Sequence, residues 1–157
     1  MNLLSNILLL DDNKMDSYMN EEIIRRQVPS GSIMTLHCPQ EAIEYIKSIT
    51  IDSSYNLKNF LPDLIFLDVN MPKMNGFDVL DELKELNIFK KKQIDVFFLS
   101  SSTCEKDIKH ALDHQLSKGY IKKPLNKDKL AKVLKLNILS YYTPKNKQSS
   151  LQKQVLL

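Results

Sequence analysis

Asp11-Asp12, Asp68, Ser100 and Lys123 are the residues of this 157-residue chain whose types and placement could do chemistry. Each follows a short apolar run. Asn6–Leu10 precedes the paired acids, Leu64–Leu67 precedes Asp68, Val96–Leu99 precedes the serine, and Gly119–Lys122 precedes Lys123. Runs of this kind are expected of strands buried on both faces of a parallel sheet. The carboxyl ends of parallel strands all point one way. The five side chains can therefore converge on one edge, where open α/β sheets place their ligands.

Three carboxylates held together repel, and their pKa values rise unless a cation neutralises them. An all-oxygen set in a shallow, open site suits Mg2+, which keeps several of its waters. A metal with open positions beside Asp68, flanked by a lysine and a hydroxyl, fits a phosphoryl group. Transfer of that group asks for little beyond positioning and charge neutralisation. Asp68 would be the nucleophile and form an acyl phosphate. Lys123 and the metal would stabilise the equatorial oxygens, and Ser100 would hydrogen-bond one of them.

The elements that must position these groups follow from pattern. Strands are expected at Asn6–Leu10, Ser32–His37, the run ending at Asp68, Asp95–Leu99 and Gly119–Lys122. Between them, helices are expected over Lys14–Gln27, with Met15, Met19 and Ile23 at i, i+4, i+8, and from Pro39 to about Ser48. Further helices are expected over Phe77–Leu86, from Thr103 or Cys104 onward, and after an Asn126 cap, with Leu130, Val133, Leu134 and Ile138 as a buried stripe. Asn70, Met71, Pro72, Asn75 and Gly76 break regular structure after Asp68. Ile49–Leu61 is polar and expected to be a long loop. Five strands alternating with five helices imply an α/β fold with a parallel sheet covered on both faces.

Composition is ordinary for a globular chain, with 43% hydrophobic and 26% charged residues. No apolar run approaches the ~20 residues that span a bilayer, and Asp11-Asp12 interrupt the N-terminus too early for a signal peptide. A cytoplasmic protein with no membrane partner is expected. Two cysteines, Cys38 and Cys104, are too few for a disulfide framework. His110 and His114 are spaced i, i+4, but no third ligand is near, so a solvated helix face is expected. Residues 118–157 carry ten lysines against one acid, Asp128, a net of +9 that leaves −6 for the first 117 residues. A solvated lysine face plus a loose tail accounts for this; a nucleic-acid surface is the alternative.

Taken together, LLLDD at 8–12, LIFLDVNMPKMNG at 64–76, VFFLSS at 96–101 and GYIKKP at 119–124 resemble the receiver domain of two-component response regulators, of the single-domain chemotaxis-regulator type. The resemblance covers about residues 5–140 and implies a flavodoxin-like (βα)5 architecture with strand order 2-1-3-4-5. It implies that Asp68 accepts a phosphoryl group from a phosphohistidine on a sensor histidine kinase or a histidine phosphotransfer protein. Asp12 and Asp68 would bind Mg2+ by side chain, Asp11 through water and Asn70 through its main-chain oxygen. Ser100 matches the family's Ser/Thr switch and Tyr120 its aromatic switch, which turns inward when the hydroxyl moves. Lys123 matches the family's lysine, and Pro124 is expected to fix its loop. The protein would then be a stand-alone switch acting on an unknown output protein, not an enzyme that turns over external substrates.

Two other classes stay on the page. A small Mg2+-dependent aspartyl-phosphate phosphatase of the haloacid dehalogenase type uses the same groups but needs a second Asp two residues after the nucleophile; here that residue is Asn70. A nucleic-acid-binding module would use the basic C-terminus, but no reader motif is visible and nucleic acid is not expected as a partner. The long 49–61 loop and the basic 141–157 tail, expected to be flexible or weakly helical, depart from a compact receiver. They leave the partner surface open, homodimerisation included. Lys129, Lys132 and Lys135 lie on the helix such domains use for docking.

Overall fold

A computed structural model of the chain describes residues 6–51, 60–91, 93–142 and 152–157. The elements in order are β1 (Asn6–Leu10), α1 (Lys14–Gln27), β2 (Ser32–Leu36), α2 (Pro39–Ile51), β3 (Leu64–Asp68), α3 (Gly76–Lys84), α4 (Asn87–Lys91), β4 (Asp95–Ser100), α5 (Glu105–Asp113), β5 (Ser117–Lys122), α6 (Lys127–Tyr142) and β6 (Gln154–Leu156). All strands pair in parallel in one sheet of order β2-β1-β3-β4-β5-β6.

Side chains alternate across a strand, so each apolar run feeds two cores. Leu8, Leu10, Ile65, Leu67, Val96, Phe98 and Tyr120 face α2, α3, α4 and α5. Ile7, Leu9, Leu64, Phe66, Phe97, Leu99 and Ile121 face Ile24 of α1 and Leu130 and Val133 of α6. Burying each of these large side chains contributes about 1.5–3 kcal/mol. The stripe expected on the last helix holds at Leu130 and Val133, whereas Ile138 is exposed.

The α1 pattern produces the helix but not its buried face. Ser17, Asn20 and Ile24 are buried, while Met15 and Met19 are exposed. The first turns of α1 overhang the polar sheet edge, where Ser17 Oγ donates to the Asp11 and Asn13 carbonyls at 3.2 and 3.0 Å. Ser17 therefore finds its partners inward, whereas Asn20 Nδ2 is buried with no hydrogen-bond partner among the described residues. His114 also departs from expectation. It is buried, its Nε2 lies 3.3 Å from Asp81 Oδ1, and its Nδ1 accepts from the Leu116 N–H at 3.2 Å. His110 stays exposed and stacks on Phe77.

Two elements, α4 and β6, lie outside the five-strand, five-helix expectation, and one expected helix is longer than foreseen. Helix α2 runs to Ile51, into the segment expected as a loop, and the rest of that loop up to residue 59 lies outside the described residues. The short α4 follows α3. Residues 154–156 of the tail form β6 rather than a loose or helical segment, and 143–151 lie outside the described residues. Gly119 is what admits β6. A Cβ there would sit 2.3 Å from the Gln154 carbonyl oxygen. Three residues are too few to show a period, which is why this strand has no sequence signature.

One buried polar contact fastens α6 to the sheet. Asn137 Nδ2 donates to Asp95 Oδ2 at 2.8 Å, and both residues are buried. Asn137→Leu removes a donor from a buried carboxylate. It is expected to lower the unfolding free energy by about 1–3 kcal/mol, read from chemical denaturation. Unchanged stability would refute this role.

Candidate functional site

The sheet register brings the strand ends level. Leu10 pairs with Leu67, Asp68 with Leu99, and Ser100 with Lys122. Asp11, Asp68, Ser100 and Lys123 thus occupy neighbouring positions on one edge.

Asp11 is held from all sides. Its N–H donates to the Leu36 carbonyl at 3.1 Å, its Oδ1 accepts from Asn13 N at 2.9 Å, and its carbonyl lies 2.9 Å from His37 Nδ1. Asn13 itself caps α1, accepting from the Met15 and Asp16 amides. Asp12 follows and is half-buried. One oxygen from each of Asp11, Asp12 and Asp68 lies within 4.8 Å of the others.

Asp68 is 5% exposed at the end of a fully buried strand. The turn behind it is shaped by two backbone features. Gly76 N–H donates to the Val69 carbonyl at 2.9 Å, and a Cβ on Gly76 would lie 2.2 Å from the Asp68 carbonyl oxygen. Lys73 takes φ 70°, the left-handed region, which costs a non-glycine residue about 1–2 kcal/mol. The glycine thus serves close approach, and the lysine makes the turn. Asn75 then caps α3 in a reciprocal box with Asp78. Asn70 donates its N–H to Asp68 Oδ1 at 3.4 Å and its side-chain amide to Ser100 Oγ at 3.3 Å.

Lys123 closes the site. Its Nζ lies 2.7 Å from Asp11 Oδ2, 3.1 Å from Asp16 Oδ2 and 3.4 Å from Asp68 Oδ2. Its own N–H donates to the Ser100 carbonyl at 2.8 Å, and the Lys123-Pro124 bond is cis. Burial pulls the Lys123 ammonium down, but hydrogen bonding to Asp11 and Asp16 and the charges of Asp68 and Asp11 outweigh it and raise its pKa. Burial pushes Asp68 up; Lys123 pulls it down and Asp11 pushes it up again, leaving it at about 6. Asp11 Oδ2 is buried, and apart from its ion pair with Lys123 it receives no well-directed hydrogen bond. A buried carboxylate oxygen with spare capacity, inside an all-oxygen cluster, suits a hard divalent cation.

Ser100 is fully buried and accepts from the Ser102 N–H at 3.1 Å. Tyr120 is also fully buried, and its hydroxyl donates to the Ser102 carbonyl at 2.6 Å. Burial raises the phenol's pKa, so it remains a neutral donor. Ser102 Oγ donates to Asp107 Oδ2 at 2.6 Å, which ties this loop to α5.

The sequence profile of the response regulator receiver domain matches residues 7–135. The chain belongs to this family. Among solved receivers and regulators, a two-component response regulator from Cytophaga hutchinsonii superposes with a TM-score of 0.74 at 25% identity, covering 87% of this chain and 98% of the other. The phosphorylated cyanobacterial phytochrome response regulator RcpA gives a TM-score of 0.63 at 33% identity, over 88% and 94%. The nitrate/nitrite response regulator NarL of Escherichia coli is 31% identical over 128 residues, or 82% of this chain. The chain spans 52% of the length of NarL and 61% of a two-component response regulator of Arabidopsis thaliana.

Asp11, Asp12, Asp68, Asn70, Ser100 and Lys123 lie together at this edge of the receiver, and Tyr120 reaches it through Ser102. Sequence reasoning missed Asp16 and Asp107. Asp16 sits in the first turn of α1, where an acid reads as a dipole partner; only the fold brings it to Lys123. Asp107 has the same disguise in α5. Of the docking lysines, Lys129 is turned back onto the Lys122 and Pro124 carbonyls at 2.7 and 3.1 Å, whereas Lys132 and Lys135 are exposed. Among the described residues, no helix is long and apolar enough to cross a membrane.

Proposed function

We propose that this receiver accepts a phosphoryl group on Asp68 from a phosphohistidine of a sensor histidine kinase or histidine phosphotransfer protein, and thereby switches its binding to an output protein in the cytoplasm. The observation that carries this is the ring of Asp11, Asp12 and Asp68 within 4.8 Å of one another, with Lys123 seated against Asp11 and Asp68. That arrangement sets one cation, and an all-oxygen binding place for a second, beside one strand-end carboxylate.

An Asp68 carboxylate oxygen forms the new P–O bond as the P–N bond of the phosphohistidine breaks. The electron pair returns to the departing imidazole, which takes up a proton from solvent. Asp11, Asp12 and Asp68 would hold Mg2+ by side chain or bridging water, with the Asn70 main-chain oxygen. The bound ion would supply Lewis-acid neutralisation of phosphoryl charge. Lys123, released from part of its hold on Asp68, pairs with a phosphoryl oxygen. Ser100 Oγ donates to another, giving up its contact with Asn70. Because Ser102 shares hydrogen bonds with Ser100, Tyr120 and Asp107, a shift of Ser100 is passed to β5 and α5. Asn70 offers no acid/base group for external phosphoesters, so the receiver catalyses only its own phosphorylation and dephosphorylation. Residues 5–140 would form the receiver unit, to whose sheet the basic 141–157 segment adds β6.

The test is the intact mass after incubation with acetyl phosphate and Mg2+. A gain of one phosphoryl group, abolished by chelation, is expected; no gain, or a gain indifferent to the chelator, overturns the reading. Lys123→Met removes the charge that meets the incoming group. It is expected to slow incorporation by about 10²–10³-fold, followed as mass against time.

A further inference from the structure

The sheet contains one connection of the wrong hand. Strand β1 steps to β2 in one direction with α1 on the face that also holds α6. The steps β2 to β3, β3 to β4 and β4 to β5 go in the opposite direction, with α2, α3 and α5 on the other face. Reversing both direction and face preserves hand, so all four crossovers share one hand. The step β5 to β6 goes in the second direction but carries α6 on the α1 face. Within one chain, β5-α6-β6 is therefore a crossover opposite in hand to the other four. Parallel crossovers within one chain are right-handed in about 98% of cases.

The slot that β6 fills is nonetheless well made. Gly119 lets the Gln154 carbonyl approach where a Cβ would lie 2.3 Å away. Gly119, Tyr120 and Ile121 pair with Gln154, Val155 and Leu156. Leu156 is buried in the core shared with α6. Lys153 Nζ donates to the Leu112 and His114 carbonyls at the end of α5, both at 2.6 Å. All of these contacts bind the 153–156 segment to other parts of the fold, and none depends on which chain supplies it.

We propose that the β5 edge is an interface between two copies of this protein, each placing its β6 in the other's slot. Exchange keeps every contact listed above and removes the connection of unfavourable hand, because the handedness rule does not bind segments of different chains. The nine residues 143–151 that join α6 to the 152–157 segment can span up to about 30 Å. Four of the seven large exposed apolar side chains among the described residues, Ile138, Tyr142, Val155 and Leu157, lie on α6, on β6 or directly after it, where the second copy would sit. Exchange of a terminal element between identical chains is a low-cost route to a symmetric dimer. The exchange stands independently of the phosphoryl chemistry.

The experiment uses the full chain. Light scattering is expected to give twice the monomer mass, and a chain ending at Tyr142 is expected to be monomeric. A monomeric full-length protein overturns the exchange, as does a dimer that survives the truncation. Since truncation could also unfold the protein, the full chain is tested in a second way. In an equal mixture of 15N-labelled and 13C-labelled protein, unfolded and refolded together, contacts from the Ile121 amide to the Leu156 methyls are expected between differently labelled chains. Contacts found only within one chain overturn the proposal.

Discussion

Asp68→Asn is expected to abolish phosphoryl incorporation and, in metal-free buffer at neutral pH, to make the receiver more stable. The first effect follows because an amide has no free carboxylate oxygen to form the acyl phosphate, and no other carboxylate in the cluster stands against both Lys123 and Ser100's neighbour Asn70. Incorporation that persists in the variant would move the site elsewhere. The second effect follows from the electrostatics. Asp68 has a folded-state pKa of about 6, above the ordinary 3.8, because burial and Asp11 disfavour its charge more than Lys123 favours it. The folded protein therefore binds this proton more tightly than the unfolded chain. Stability falls as pH rises from about 3.8 to about 6 and stays reduced above that. At roughly 1.4 kcal/mol per unit, discounted for residual solvent screening, the ionised carboxylate costs about 1–3 kcal/mol. Asparagine removes that cost. Chemical denaturation should show the variant more stable than the parent at pH 7.5, with the gap closing toward pH 4. Mg2+ should narrow the gap at pH 7.5 by stabilising the parent more. A gap independent of pH would show that Asp68 is not held against its charge.

Gly76→Ala is the second large effect. Its Cβ would lie 2.2 Å from the Asp68 carbonyl oxygen and 3.1 Å from the carbonyl carbon. The obstacle is backbone on a fully buried strand, so no side chain can swing aside. Either the start of α3 or the end of β3 must move. Overpacking of this kind costs about 1–3 kcal/mol. The displacement falls on the residue that carries the reacting oxygen, where an error near 1 Å can cost about 10²-fold in rate. The variant should therefore lose stability and also slow in acetyl phosphate uptake under conditions where it is fully folded. A folded variant with parental uptake would show that Asp68 does not depend on this close packing.

These two substitutions mark different sources of information. Asp68 was legible because a four-residue apolar run ending in an acid can be little else than a buried strand meeting its carboxyl edge. The same reasoning placed Asp11, Ser100 and Lys123, since parallel strands share a direction. Tyr120 lay on a recognisable strand, but its role as the aromatic switch came only from the resemblance. The five-strand order needed the resemblance as well as the pattern. Gly76 was legible only as a turn residue; that it excludes a side chain from the back of Asp68 depends on how α3 returns across β3.

What the sequence by itself determined was the set of strands, their common direction and hence the acidic edge, because periodicity and strand polarity are local properties. Only the tertiary structure decided which face of α1 is buried, that Asp16 reaches Lys123, that His114 turns inward to Asp81, and that Gln154–Leu156 lies beside β5. Each of those depends on a contact between segments distant along the chain. A three-residue strand, or a single acid in a helix's first turn, carries no periodic signal of the partner it will meet.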